Sequence, residues 1–184
     1  MLDDSDILRL YKAGQKEEAF NHIVQNYGER LYWHIRRLVL VHEDADDMLQ
    51  NTFVKAWGAL EGFRGESGLY TWLYRIATNE ALTFLNRQRL GNAFSLSQEP
   101  ERVAGILSSD RNFDGDKLQL TLQQAIASLP PKQRAVFTMR YYDETPYEQM
   151  SKVLGTSVGA LKASYHHAYN KVLEYVKKRV DIDY

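Results

Sequence analysis

Apolar residues along this chain recur at three- and four-residue intervals, and no stretch alternates strictly in the manner of a half-buried strand. Over 44–60, Met48, Leu49, Phe53, Ala56, Trp57 and Leu60 fall on one stripe. Asp44, Asp46 and Asp47 crowd its first turn, where the helix dipole favours anions. Upstream, Ile7, Leu8, Tyr11, Phe20, Ile23, Val24, Tyr27, Leu31 and Ile35 suit two shorter helices broken near Gly14. A fourth helix is expected over roughly 70–90, with Leu73, Ile76, Ala77, Ala81 and Phe84 inward. These helices make one domain over 1–90.

From Gly91 to about Asp116 the pattern gives way to Ser, Asn, Gly, Asp and Pro100, which reads as a linker over 91–117 with a short helical turn at 101–107. A loop of this length is out of place inside one compact domain and so separates two. Fully extended, it reaches roughly 90 Å. Periodicity resumes at Leu118, Leu122, Ala125, Ile126 and Leu129, and Pro130-Pro131 stops that helix and starts the next. Thr145 with Glu148 forms a capping-box signature, with Pro146 at the first helical position. That helix carries Tyr147, Met150 and Leu154 and ends at Gly155, suited to a left-handed terminal residue. Ser157 then caps a long final helix with the stripe Val158, Leu161, Tyr165, Ala168, Val172 and Tyr175. Two helices joined by a tight glycine turn predict a helix-turn-helix within a second domain over 118–184. The fold class expected is all-α, with two small helical domains joined by a flexible linker.

Composition narrows the chemistry. There is no cysteine, which excludes disulfides, thiolate metal sites and thiol nucleophiles. The N-terminal MLDDSDILRL lacks the basic and apolar regions of a signal peptide. No apolar stretch approaches ~18 residues. No membrane insertion and a cytoplasmic location are therefore expected. Net charge is −1, but residues 1–90 carry 11 basic against 13 acidic side chains, while 119–184 carry 9 against 6. A basic excess confined to the C-terminal part fits a nucleic-acid-binding module.

Around 63–79, Arg64, Tyr70, Trp72, Tyr74 and Arg75 interleave positive charge with flat aromatic surface, and Gly62, Gly65 and Gly68 line the loop before them. Unpaired nucleic acid is bound by such surfaces, since bases stack on rings at ~1–3 kcal/mol each while cations meet phosphates. Trp72, Arg75, Asn79 and Asn86 lie opposite the apolar stripe.

Three stretches together resemble the extracytoplasmic-function sigma factors, the group 4 members of the sigma-70 family. DDMLQNTFVKAWGAL (46–60) is similar to their polymerase-binding helix, and FRGESGLYTWLYRIATN (63–79) to the loop and helix that recognise the −10 element. TPYEQMSKVLGTSVGALKASYHHA (145–168) is similar to the helix-turn-helix that reads the −35 element. The resemblance covers nearly the whole chain and implies an alternative sigma factor with a sigma-2-like and a sigma-4-like domain. Its implied partners are bacterial RNA polymerase core, promoter DNA and an anti-sigma factor of the kind that many relatives have clamped against both domains. No cofactor is implied.

The resemblance also distributes roles. It implies that Asp47, Gln50, Asn51, Val54 and Lys55 dock on the clamp helices of the largest polymerase subunit; Asn51 departs from the acidic residue common there. It places a flipped −10 base in the loop before the fourth helix, with Arg64, Tyr70, Thr71, Trp72, Tyr74, Arg75 and Asn79 on single-stranded DNA. Duplex −35 DNA falls to Ser157, Lys162, Ala163, Ser164, His166, His167 and Lys171. Many relatives carry several arginines on this helix, so bidentate arginine–guanine contacts are largely missing here. Ala163 is suited to a thymine methyl.

Other motifs point elsewhere. DRNFDG (110–115) matches half of a calcium loop, but Thr121 stands where a bidentate Glu is required. HEDAD (42–46) lacks the second histidine of a zinc protease, and His166-His167 has no third ligand, so no metal is expected. Nothing assembles a base, a nucleophile and an oxyanion site, so no catalytic residue is expected. The alternative reading is a stand-alone helix-turn-helix regulator with 1–90 as a sensor domain. A reader of closed duplex would have no use for the aromatic, glycine-rich loop at 62–72.

Overall fold

Asp3 starts the first helix by accepting a hydrogen bond on its carboxylate from the Asp6 amide at 2.8 Å. The computed structural model describes residues 2–91, 99–109 and 115–180. Helix α1 (Asp4–Lys12) ends before Gly14, whose φ of 89° turns the chain into α2 (Lys16–Val39). Helix α3 (His42–Ala59) runs into a single 3-10 turn at Leu60–Gly62, and α4 (Leu69–Gly91) completes the N-terminal bundle. Ile7, Ile23, Leu31, Ile35, Leu73 and Ala77 are fully buried between these four helices. The gap expected near Gly14 and the inward positions Leu73, Ala77 and Ala81 are present. Trp57 departs from its expected place: it stays 44% exposed, with its ring edge-on to Phe20 at 5.1 Å.

Helix α5 (Glu99–Ser109) extends the short turn expected at 101–107 into a full helix. Val103 and Leu107 form a small cluster with Ala127 and with Leu40, the residue that closes α2. Leu40 does so in the left-handed region at φ 69°, a conformation that costs an L side chain ~1–2 kcal/mol and that this packing holds in place.

Helix α6 (Lys117–Ala127) is capped by Asp116, and α7 (Pro131–Tyr141) begins with its proline at the first turn, as the Pro130-Pro131 pair requires. Leu118, expected inward, is exposed. Helix α8 (Tyr147–Leu154) ends at Gly155 with φ 61°, and Ser157 caps α9 (Val158–Lys177) by accepting from the Ala160 amide at 3.3 Å. Ala125, Ile126, Leu129, Phe137, Ala168, Val172 and Val176 form the core between α6, α7 and α9. The capping box at Thr145 does not form: Pro146 is the cap residue and makes no side-chain bond. Thr145 is instead buried, its amide bonded to the Met139 carbonyl.

The two halves touch. Ala135, Val136, Met139, Met150, Val153 and Leu161 belong to the same contiguous apolar cluster as the core of α1–α4. Arg134 is buried at this seam and donates to the Leu38 carbonyl at 3.0 Å and to the Ala127 carbonyl. Among the described residues all regular structure is helical.

Candidate nucleic-acid interface

The loop at 62–68 is fixed at both ends. Phe63 packs its ring against Trp72 at 5.1 Å, and the Leu69 amide at the start of α4 donates to the Asp4 carboxylate at 2.9 Å. Gly65 turns the loop with φ 72°, a left-handed conformation that favours glycine, while a Cβ on Gly68 would make only ordinary contact with that same carboxylate, at 3.5 Å. From this base α4 presents Arg75 and Asn79, both exposed, with Thr71 and Trp72 half-buried and Arg64 exposed in the loop. Trp72, Arg75 and Asn79 succeed one another at helical spacing, which makes a strip of ring, cation and amide. Tyr70 is half-buried beneath the Arg30 guanidinium, 3.9 Å from its centroid, and burial raises its phenol pKa.

Tyr74 does not belong to this strip. It is 2% exposed, its ring lies 4.0 Å from the His34 ring, and its hydroxyl donates to Asp143 at 2.6 Å. Burial, followed by the Asp143 charge and hydrogen bond, pushes its phenol pKa far up. Tyr74 stands three, four and seven residues before Ala77, Thr78 and Ala81, all buried, so the apolar stripe of α4 is wide enough to include it.

Helix α3 turns Asp47, Gln50, Asn51, Val54, Lys55 and Gly58 to the outside. Val54 is 71% exposed and lies one turn from the partly exposed Trp57, which makes a small apolar spot among polar groups. Such a face suits a protein surface better than DNA, since acidic Glu43 and Asp44 open the same helix. Lys55 is also tied to α4 through Glu80.

On α9, Lys162, Ala163, His166, His167 and Lys171 are exposed along the side opposite Leu161, Ala168 and Val172, while Ser164 is half-buried and Ser157 is taken up in capping. Lys162 lies over the Tyr147 ring at 5.8 Å, and Lys171 donates to Gln133 of α7 at 3.0 Å. Asn170 and His166 pair at 3.0 Å. Residues 110–114 of the half calcium loop lie outside the described residues, and among the described residues no group of His, Cys, Asp or Glu is placed to hold a metal ion.

Sequence reasoning missed the joint between the halves. Asp143, in the turn after α7, receives the His34 Nδ1 at 2.9 Å, the Tyr74 hydroxyl at 2.6 Å and the Arg37 Nη1 at 2.5 Å. His34 is 1% exposed, and its other ring nitrogen meets the Thr78 hydroxyl at 2.9 Å. Burial opposes ionisation of Asp143, but the bonds from His34 and Tyr74 and the Arg37 charge outweigh it and hold the carboxyl below its ordinary range. Beside the joint is a cleft of about 460 Å³ lined by Arg30, Trp33, Arg37, Tyr70 and Gln149, with Trp33 47% exposed. The only local hint was a histidine at an inward position of α2.

Comparison with known proteins follows this division of the chain. Residues 23–90 match the model of sigma-70 region 2, and residues 119–172 match that of sigma-70 region 4. The chain is 31% identical to RNA polymerase sigma-H factor of Pseudomonas aeruginosa over 173 residues, covering 90% of this chain and 89% of that protein. It is also 31% identical to the ECF RNA polymerase sigma-E factor of Escherichia coli over 190 residues, covering 97% and 98%. Its fold is similar to that of the sigma factor RpoE of Bartonella quintana, solved with the anti-sigma factor NepR, at a TM-score of 0.65 and 22% identity over 86% of this chain and 96% of that one. It is also similar to CnrH, solved with the cytosolic domain of CnrY, at 0.62 and 24% over 96% and 100%. Two sigma regions in order leave a sensor domain over 1–90 without support.

Proposed function

The chain belongs to the extracytoplasmic-function group of the sigma-70 family, and from that premise we propose how its surfaces divide the work of initiation. It is an alternative sigma factor that binds RNA polymerase core and directs it to promoters. The outward face of α3, with Asp47, Gln50, Asn51, Val54 and Lys55, anchors the core enzyme. The domain over 1–90 reads and opens the −10 element, and the domain over 118–184 reads the −35 element through α9.

The observation that carries the −10 assignment is the strip of Trp72, Arg75 and Asn79 rising from a loop pinned by Asp4 and Phe63. A base turned out of the duplex costs a few kcal/mol, and the site must return that energy through stacking and edge contacts. A loop already held in place does so without a further ordering cost. Arg64 and Arg75 meet phosphates, Trp72 stacks, and Asn79 offers both donor and acceptor to a base edge. Tyr70 lies beneath Arg30 and packs on the Tyr27 and Tyr74 rings rather than lying open. On α9, Lys162 and Lys171 meet duplex phosphates while Ala163, His166 and His167 face base edges, with Ser157 holding the helix start.

The chain acts in the cytoplasm beside polymerase and promoter; no helix among the described residues is long and apolar enough to cross a membrane. Its role is that of an initiation factor, with the chemistry of RNA synthesis left to the core enzyme. An anti-sigma factor engages both domains, and the cleft at Trp33 and Arg30 supports that reading, since an exposed aromatic beside a cation suits an acidic, amphipathic helix. Run-off transcription with polymerase core tests the central reading. A promoter-specific transcript should require this protein, and transcription unaffected by its addition, at every promoter of its own genome, would remove the assignment.

A further inference from the structure

The outer side of α9 is short of permanent positive charge. The helix contains no arginine, and Lys162 and Lys171 are its only lysines before the last turn. Both are already engaged within the protein: Lys162 lies over the Tyr147 ring at 5.8 Å, and Lys171 donates to Gln133 of α7 at 3.0 Å. Between them stand His166 and His167, both exposed, with ring centroids 6.1 Å apart. Imidazole is the side chain that ordinarily changes its charge between pH 5 and 8. Half of the nitrogen bases along this stretch of α9 therefore gain or lose a charge in the range that a cell experiences.

We propose that His166 and His167 make duplex binding by α9 proton-linked: the DNA draws a proton onto each imidazole, so the protein holds the −35 element more tightly as pH falls. This rests on α9 being the −35 reader, as proposed above. A duplex carries one negative charge per ~1.7 Å of its axis, and an opposite charge within ~4–6 Å favours the charged form of a titrating group. The hydrogen-bonding groups of the DNA act in the same direction. Phosphate oxygens and the guanine N7 and O6 only accept, and a protonated imidazole offers two N–H donors where a neutral one offers a single donor. Since the complex favours the charged form, the added affinity is present at low pH and is lost as pH rises and the bound imidazoles release their protons.

The surroundings leave this charge to the DNA. Among the described residues neither imidazole makes an ion pair, and the first carboxylate along α9 is Glu174, already paired with Lys178 at 2.6 Å. The helices packed on α9 bring mostly cations: Lys117 from α6, Lys132 and Arg140 from α7, and Lys152 from α8. Arg134 of α7 is turned into the seam with the N-terminal half. Glu148 of α8 is the one carboxylate on those three helices. Next to them, Asp116 caps α6, Asp143 is held at the seam and Glu144 lies in the turn before α8. The phenols of Tyr147, Tyr165 and Tyr169 ordinarily titrate near 10, outside this range. Asn170 is fitted to both charge states of its neighbour. Its side-chain amide meets the His166 Nε2 at 3.0 Å, and an amide can turn its NH2 to a neutral ring nitrogen or its oxygen to a protonated one.

The test uses holoenzyme formed with the full-length chain and a duplex recovered at pH 7.0 from a pool randomised across the −35 region. Affinity for that duplex is measured from pH 8.0 to pH 6.0 at constant ionic strength. Wild-type holoenzyme should bind at least tenfold more tightly at pH 6.0 than at pH 8.0. His166→Gln with His167→Gln should cut that ratio to within twofold, and His166→Lys with His167→Lys should bind tightly and nearly equally at both ends. Comparison among the three cancels any pH response of the core enzyme itself. Each phosphate charge neutralised steepens the fall of log affinity with log salt by ~0.9, so the wild-type salt slope should steepen by at least that much at pH 6.0 while the glutamine variant's does not. Both sites are exposed, so the substitutions leave the buried side of α9 untouched, and equal helicity by circular dichroism checks this. A wild-type protein and a glutamine variant with the same pH response overturn the proton linkage while leaving α9 as the −35 reader. A pool that yields no preferred sequence overturns both.

Discussion

The Asp4 carboxylate accepts a hydrogen bond from the Leu69 amide at 2.9 Å, so a residue of the first helix caps the start of the fourth across 65 positions of sequence. Its second oxygen receives the Tyr27 hydroxyl. A single acidic side chain thereby ties α1, α2 and the loop before α4 to one another. Asp4→Ala removes a cap contact, which costs about 1 kcal/mol, and leaves the Leu69 amide without its partner. The expected result is a lower denaturation midpoint together with weaker strand opening, because the loop loses its anchor. Denaturant titration and permanganate footprinting check the two effects separately.

The same contact has a pH signature. Burial first, then the bond to Asp4, pushes the Tyr27 phenol up to about 12 from an ordinary 10.0. The fold thus favours the neutral phenol, so this contribution is fully present below pH 10.0 and is lost as pH rises through about 12. Tyr27→Phe should lose stability relative to wild type at pH 8 and lose less of it at pH 12. A gap between the two proteins that stays constant over that window would separate Tyr27 from Asp4.

On α3 the exposed polar face is expected to anchor polymerase. Asp47→Arg combined with Gln50→Arg changes charge and bulk on a solvent-facing surface without touching Ala45, Thr52 or Ala56, the buried residues of that helix. Core affinity should fall at least tenfold while the thermal midpoint moves little, since exposed substitutions cost within about 0.5 kcal/mol. Unchanged affinity in the folded double variant moves the anchor elsewhere.

Tyr74 separates core from contact. Tyr74→Phe keeps the ring on His34 and removes the bond to Asp143, so stability should fall by about 1 kcal/mol and opening of a pre-melted template should be retained. Tyr74→Ala empties a buried ring site and should cost about 3–5 kcal/mol. Equal loss of opening on pre-melted DNA by both variants would return Tyr74 to the DNA surface.

Much of this was legible in the chain because it is local. Gly155, Ser157 and Pro131 mark helix ends through their own backbone preferences, and Leu161, Ala168 and Val172 declare the inner side of α9 by spacing alone. The outward face of α3 followed from the same periodicity. What could not be read depends on partners far along the sequence. Tyr74 looks like one more ring in an aromatic, basic stretch until Asp143 and His34 are placed around it, 69 and 40 positions away. Thr145 carries a correct capping signature but is buried, and Pro146 takes the cap position. Helix α5 offers only Val103 and Leu107 as an apolar pair, too sparse to outweigh its Ser and Gly neighbours, and Leu40 and Ala127 supply the surface that it packs on.

Trp72 and Asn79 should fail in different ways. Both stand on the strip of α4, but Trp72 is half-buried against Phe63 while Asn79 is exposed about two turns further on. A ring gains stacking energy only from an unpaired base, so in the proposed −10 role Trp72 would help capture the opened strand, whereas the Asn79 amide would read an edge once the strand is already open. Holoenzyme carrying either Trp72→Ala or Asn79→Ala should keep much of its closed-promoter binding through α9 and lose strand opening, by about tenfold or more. A template mismatched across the −10 region supplies the melting in advance. It should therefore restore Trp72→Ala more completely than Asn79→Ala, which still cannot read the base. Permanganate reactivity of thymines on duplex and mismatched templates measures both. Full opening of duplex DNA by the two variants would make this strip ordinary helix surface and would withdraw its part in promoter melting.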